Sequence, residues 1–182
     1  MGVTSALPQS RPLTYDDLAA MPDDGHRYEL VDGSLIVTPA PRAIHQRAVV
    51  RLVRLLADSC PSDLEVFVAP FDVVLSQLTV MQPDVLVARR ADLTEANLPA
   101  PPVLAVEVLS PSTRRIDLGT KRLAFEAAGV ASYWVVDPDE PSLTVFELEG
   151  GAYRQVARVA GDGSWQATHP FPARVVPARL VD

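Results

Sequence analysis

Three side chains in this sequence stand where their chemistry conflicts with their neighbours. Glu107 lies inside the apolar run Leu104-Ala105-Val106-Glu107-Val108-Leu109. A carboxylate in a strand buried on both faces costs several kcal/mol unless it is paired or ligates a metal. The run therefore predicts a metal ligand, an ion pair with a buried arginine, or a position at the exposed rim of the strand. Asp84 opens a second apolar run, Asp84-Val85-Leu86-Val87, directly after Pro83; taken alone, an aspartate beside proline also reads as a turn cap. Lys121 shares helical spacing with Leu118, Phe125 and Ala128, which puts it on an apolar helix face turned toward a sheet. The competing readings for Lys121 are a surface ion pair with Asp117 four residues earlier, or a stem covering apolar surface with its head in water. Together, two strand-borne carboxylates and a lysine facing them form the set that hydrolyses a phosphodiester. The acids hold one or two Mg²⁺ or Mn²⁺ ions that activate water, and the ammonium stabilises developing charge.

The elements that must position these groups follow from the same sequence. Thr14 and Asp17 fit a capping box opening a short helix through Met21. Arg27 to Val31 and Ser34 to Thr38 flank Asp32-Gly33, a two-residue hairpin signal. Glu29 falls in the first of these strands, where an outward glutamate is unremarkable by itself. His45 to Ser59 forms an amphipathic helix with Val49, Leu52, Val53 and Leu56 on one stripe. Leu64 to Val68, Phe71 to Leu75 and Pro83 to Ala88 read as strands, and 103–109 as a strand buried on both faces. A helix is expected over 116–128, closed by Gly129, then a strand over 132–136. Strands over 143–149, 153–159 and 164–168 complete a meander. Strand-helix-strand between 103 and 136 implies a parallel crossover. The fold class is α/β, with a mixed central sheet flanked by helices; residues 13–182 form one domain behind a flexible lead-in of residues 1–12.

Composition narrows the partners. The chain has 182 residues and a net charge of −7, which argues against coating nucleic acid by bulk electrostatics. An enzyme that gathers carboxylates around a metal remains compatible with that charge. Cys60 is the single cysteine. No internal disulfide or cysteine-based zinc site is possible, and a reducing cytoplasm is expected. The N-terminus lacks the apolar segment of a secretory signal, and no run is long enough to span a membrane. Lys121 is the only lysine among sixteen basic residues, so any step that needs a lysine has no alternative.

The ordered motifs carry a resemblance. Arg27-Tyr28-Glu29-Leu30-Val31-Asp32-Gly33 is followed by Pro39, Pro41 and His45. Then come Gln82-Pro83-Asp84, Val106-Glu107-Val108-Leu109-Ser110-Pro111-Ser112-Thr113, Asp117 with Lys121, Ala128-Gly129-Val130, Tyr133-Trp134 and Asp137-Pro138. Over about residues 13–160 this resembles the Uma-two family of restriction endonucleases, within the PD-(D/E)xK nuclease superfamily. The resemblance implies a restriction-endonuclease-like fold and adds Glu29 to the acidic site. Metal would be held by Asp84, Glu107 and Glu29, and these three with Lys121 would form the catalytic set. The superfamily's usual lysine lies two residues after the catalytic acid, where this chain has Leu109. The family pattern maps the role to Lys121 on the next helix.

The expected activity is a Mg²⁺- or Mn²⁺-dependent endonuclease acting on DNA, a homodimer being compatible with cutting two strands. Two rivals stand beside it: a catalytically inert module of the same fold that binds DNA or a protein, and a metal hydrolase of smaller phosphoesters. His45, and Arg114 with Arg115, are weaker candidates for contact with substrate.

Overall fold

The computed structural model describes residues 11–182; most of the expected lead-in, residues 1–10, lies outside the described residues. Helix α1 (Tyr15–Ala19) starts where the Thr14 backbone N–H and hydroxyl both donate to the Asp17 carboxylate, at 2.8 and 2.9 Å. Strands β1 (Arg27–Val31) and β2 (Ser34–Thr38) form the expected hairpin. Its turn residues Asp32 and Gly33 both have positive φ, 49° and 74°, as a primed turn requires. A Cβ at Gly33 would collide with Pro12, so glycine is needed there twice over.

Helix α2 (Ala43–Ala57) buries Ala48, Val49, Leu52 and Leu56, the stripe that the 3.6-residue period predicts. Strands β3 (Leu64–Val68), β4 (Val73–Ser76), β5 (Thr79–Met81), β6 (Val85–Arg89) and β7 (Leu104–Val108) follow. Next come a π-helical segment (Ile116–Lys121), α3 (Arg122–Ala127), β8 (Ser132–Asp137), β9 (Ser142–Glu149) and β10 (Ala152–Ala160). The described chain ends on β11 (Trp165–Ala167), β12 (Ala173–Val175) and α4 (Ala178–Val181).

A six-stranded mixed sheet in the order β10-β9-β8-β7-β6-β3 forms the centre. Its one parallel pair, β7 with β8, is the pair joined through α3, as the strand-helix-strand pattern requires. The other pairs are antiparallel. The N-terminal hairpin belongs to a separate four-stranded sheet, β2-β1-β5-β4, and β11 pairs only with β12.

Side chains on β7 alternate between two cores. Leu104, Val106 and Val108 pack with Trp134 and Val136 against α2 and the C-terminal segment. Ala105 points the other way, into a core with Tyr133, Val135, Phe125 of α3, and Val31 and Met81 of the second sheet. Glu107 shares the face of Ala105 by the two-residue period of a strand. It is therefore aimed at the seam between the two sheets and α3.

The helix expected over 116–128 differs in one respect. Its first turn is π-helical, and Leu118, expected on the buried face, is 39% exposed. A π turn closes i→i+5 bonds and holds one residue more than an α turn. That residue shifts the phase, so Asp117 rather than Leu118 joins Lys121 on the inward face; both are 2% exposed. The Tyr133 hydroxyl donates to the Asp117 carbonyl at 2.9 Å and braces the turn.

Candidate active site

The antiparallel register between β6 and β7 pairs Val85 with Val106. One step further along it, Asp84 comes opposite Glu107. Asp84 is gripped by three donors from three elements. Arg27 Nη1 of β1 lies 2.9 Å from Oδ1, while His45 Nε2 of α2 (3.1 Å) and the Val108 backbone N–H (2.8 Å) converge on Oδ2. Burial works against a charge here, but the His45 hydrogen bond and the Arg27 charge outweigh it. They hold the Asp84 carboxyl well below the usual carboxylate range.

Glu107 lies deeper and has fewer partners. Lys121 Nζ sits 3.0 Å from Glu107 Oε1, 2.8 Å from Glu29 Oε1 and 3.9 Å from Asp117 Oδ1. Glu29 also accepts the Gln82 backbone N–H at 2.7 Å, which ties β1 to the segment entering Asp84. Burial pushes Glu107 well above the ordinary carboxylate value, and Lys121 offsets only part of that. Asp117 is raised to about 6, again by burial first. Burial alone would lower Lys121, yet the surrounding Glu107, Glu29 and Asp117 charges raise it, so it stays an ammonium.

The four candidate residues Glu29, Asp84, Glu107 and Lys121 are thus brought into one contiguous buried cluster, which Asp117 joins. Four carboxylates, Glu29, Asp84, Glu107 and Asp117, stand against two permanent cations, Arg27 and Lys121. The formal deficit of two positive charges is one divalent ion, and the raised proton affinities of Glu107 and Asp117 express the same shortage. The donors are hard oxygens of the kind Mg²⁺ and Mn²⁺ take, and Glu29 Oε2 is a buried acceptor with no hydrogen-bond partner. The residues therefore fit such an ion in charge and donor type. Among the described residues, however, no three His, Cys, Asp or Glu side chains gather around one point closely enough to hold a metal.

A cavity of about 840 Å³ opens onto this cluster between the α1–β1 loop, the start of α2 and the Ser110–Thr113 loop after β7. Asp84, Arg27 and His45 reach its wall; Glu29, Glu107 and Lys121 do not line it. Arg114 pairs with Asp137 at 2.6 Å.

The Uma2 family model, described as "Putative restriction endonuclease", matches residues 15–179. The chain belongs to the Uma2 family. Among solved structures it is similar to "a putative nuclease belonging to DUF820" from Anabaena variabilis, with a TM-score of 0.69 at 18% identity, covering 87% of this chain and 90% of that one. No curated protein matches it. The family points to a nuclease and the solved structure shows a shared fold; the segments Arg27–Gly33, Gln82–Asp84 and Val106–Thr113 wall the buried cluster.

Two members of the site were undervalued from sequence. Arg27 shares the inward face of β1 with Glu29 by two-residue alternation, a signal available in Arg27-Tyr28-Glu29. His45 continues the Val49–Leu52–Leu56 stripe of α2 backward by one turn, so its burial was also readable.

Proposed function

We propose that this chain is a Mg²⁺- or Mn²⁺-dependent endonuclease that hydrolyses DNA phosphodiester bonds by metal-activated water, in the manner of PD-(D/E)xK enzymes. The observation that carries the reading is the meeting of Lys121 Nζ with Glu107 and Glu29 in the layer behind Asp84. Asp84 and Glu107 would hold the ion, with Glu29 completing the acidic set. A bound divalent ion supplies polarisation of the phosphate and a water acidic enough to attack at neutral pH.

The chain's own groups have separable tasks. Asp84 remains ionised at the cavity wall, ready to ligate. Lys121 keeps its proton and, from behind the cavity wall, would set a positive charge against the negative charge that grows in the transition state. Glu29 fixes the lysine head, and the buried position of the cluster excludes bulk water. DNA would enter through the cavity, a homodimer would present two such sites to a duplex, and the lone cysteine suits a cytoplasmic setting.

Cleavage of supercoiled plasmid with Mg²⁺, with Mn²⁺ and with chelator tests the reading. Nicking that requires the ion and disappears in Asp84→Ala is the expected result. Absence of cleavage under every ion and substrate, in a protein that still binds duplex, favours the inert binding module. That second reading has one observation of its own, the lack of three ligating side chains around a point among the described residues.

A further inference from the structure

His45 is a buried side chain with an incomplete hydrogen-bond complement. It is 7% exposed, its Nε2 donates to Asp84 Oδ2 at 3.1 Å, and its Nδ1 is buried with no partner. A histidine retained only to fill the core would satisfy both nitrogens or be replaced by an apolar residue, because an unpaired buried polar atom costs free energy. This ring spends its single bond on Asp84, from a place in the first turn of α2 where it also walls the cavity.

The count of acceptor positions on Asp84 says what that bond accomplishes. An ionised carboxylate has about four lone-pair sites. His45 and the Val108 N–H take both on Oδ2, and Arg27 takes one on Oδ1. One site is left over, on Oδ1. Val108 N–H is part of the rigid β7 backbone and Arg27 reaches in from the other sheet, so His45 is the link that ties the orientation of Asp84 to α2.

We propose that His45 is a positioning residue that pins Asp84 Oδ2 so that the remaining lone pair of Oδ1 is presented to a divalent cation. The inference rests on the metal-dependent reading above and adds to it a residue outside the ligand set. Hydrogen-bond partners behind a metal ligand typically contribute about 10–100-fold in metal affinity or activity, and His45 stands in that relation to Asp84.

The test compares two replacements of like size, His45→Gln, whose amide can still donate, and His45→Met, which cannot. Mn²⁺ affinity is measured by calorimetry on the full chain, with folding checked by chemical denaturation of the same samples. His45→Met is expected to bind Mn²⁺ roughly 10–100-fold more weakly than wild type, and His45→Gln to recover most of that loss. At saturating Mn²⁺, plasmid cleavage should show a lower kcat in His45→Met with KM for DNA little changed. Wild-type Mn²⁺ affinity in a folded His45→Met, or an equal loss in both variants, overturns the role of His45 and leaves the metal reading standing. A wild type that takes up no Mn²⁺ overturns the metal reading, and this inference with it. If His45→Met does not fold, His45→Leu takes its place in the comparison with His45→Gln, with the same results supporting or overturning the role.

Discussion

Asp84 and Glu107 face one another across adjacent strands and are buried to nearly the same degree, 4% and 1% exposed. Their proton affinities nonetheless move in opposite directions. The difference lies in what surrounds them. Asp84 receives a guanidinium, an imidazole N–H and a backbone N–H. Glu107 shares a single ammonium with Glu29 and Asp117. Burial by itself does not decide the state of an acid; the number of donors per carboxylate does. One end of the cluster is thus a fixed anion at the cavity wall, and the other is a charge-poor pocket where a proton or an added cation is welcome.

Removing the shared ammonium breaks this contrast most severely. Lys121→Met should lower the cleavage rate by about 10²-fold or more, as loss of a preorganised donor does. It should also destabilise the fold by roughly 3–5 kcal/mol, because three buried acids lose their counter-charge. Lys121 is therefore structural as well as a candidate for the chemistry. Adding Glu107→Gln to Lys121→Met should restore part of the stability and none of the activity, which denaturant titration beside a plasmid assay would show. Equal stability of the single and double variants would mean that the ammonium is not balancing Glu107.

The next effect is on metal-linked stability. On the proposed metal-dependent reading, Mn²⁺ at 100 times its Kd should stabilise the wild type by about 2.7 kcal/mol, as a ligand that binds only the folded state does. Glu107→Gln should lose this response, and without metal should be as stable as wild type or more so, having removed a charge from the charge-poor end. A full Mn²⁺-induced rise in Tm in Glu107→Gln would count against Glu107 as a ligand.

The smallest effect is on pH dependence. Asp117 holds its proton up to about 6 in the folded chain, against an ordinary value of 3.8. Between roughly pH 4 and 6 the folded state therefore binds more protons than the unfolded one, and stability falls as pH rises through that window. Asp117→Asn should flatten the decline, by on the order of 2–3 kcal/mol. Asp84, whose proton affinity is depressed, contributes the opposite slope: its stabilisation is present above about pH 4 and is lost on further acidification. Asp84→Asn should remove that acid-side loss and leave the pH 4–6 decline in place. Stability measured against pH for both variants separates the two ends of the cluster.

Much of this arrangement is legible in the sequence. The hairpin over Arg27–Val31 and Ser34–Thr38 and the buried strand around Glu107 are local patterns, and local patterns survive into the fold. Pairing of the hairpin in a sheet of its own, with β5, was not readable. The segment Thr79–Met81 is three residues long, too short to show an alternation, and its role is set by partners distant in sequence. The helical spacing predicts the inward turn of Lys121 together with Phe125, which is buried, and Leu118, which is not. Leu118 fits an unbroken α-helix, and nothing in Ile116-Asp117-Leu118-Gly119-Thr120-Lys121 announces the wider turn. Arg27 and His45 were legible as inward-facing, yet only the structure brings them to the same carboxylate.

The π turn also makes the geometry of the cluster a matter of helix phase. It is an α-helical turn with one surplus residue, and Gly119, around which an added Cβ would meet nothing within 4 Å, lies in its middle. Substituting Gly119 with alanine would leave the spacing between Asp117 and Lys121 untouched. Deleting it would return the segment to an ordinary α-helix with Asp117 three residues before Lys121, a neighbour on the same face but turned about 60° from it. The length of this turn thus sets how squarely Asp117 faces Lys121, a geometric setting that a point substitution at Gly119 would not reach.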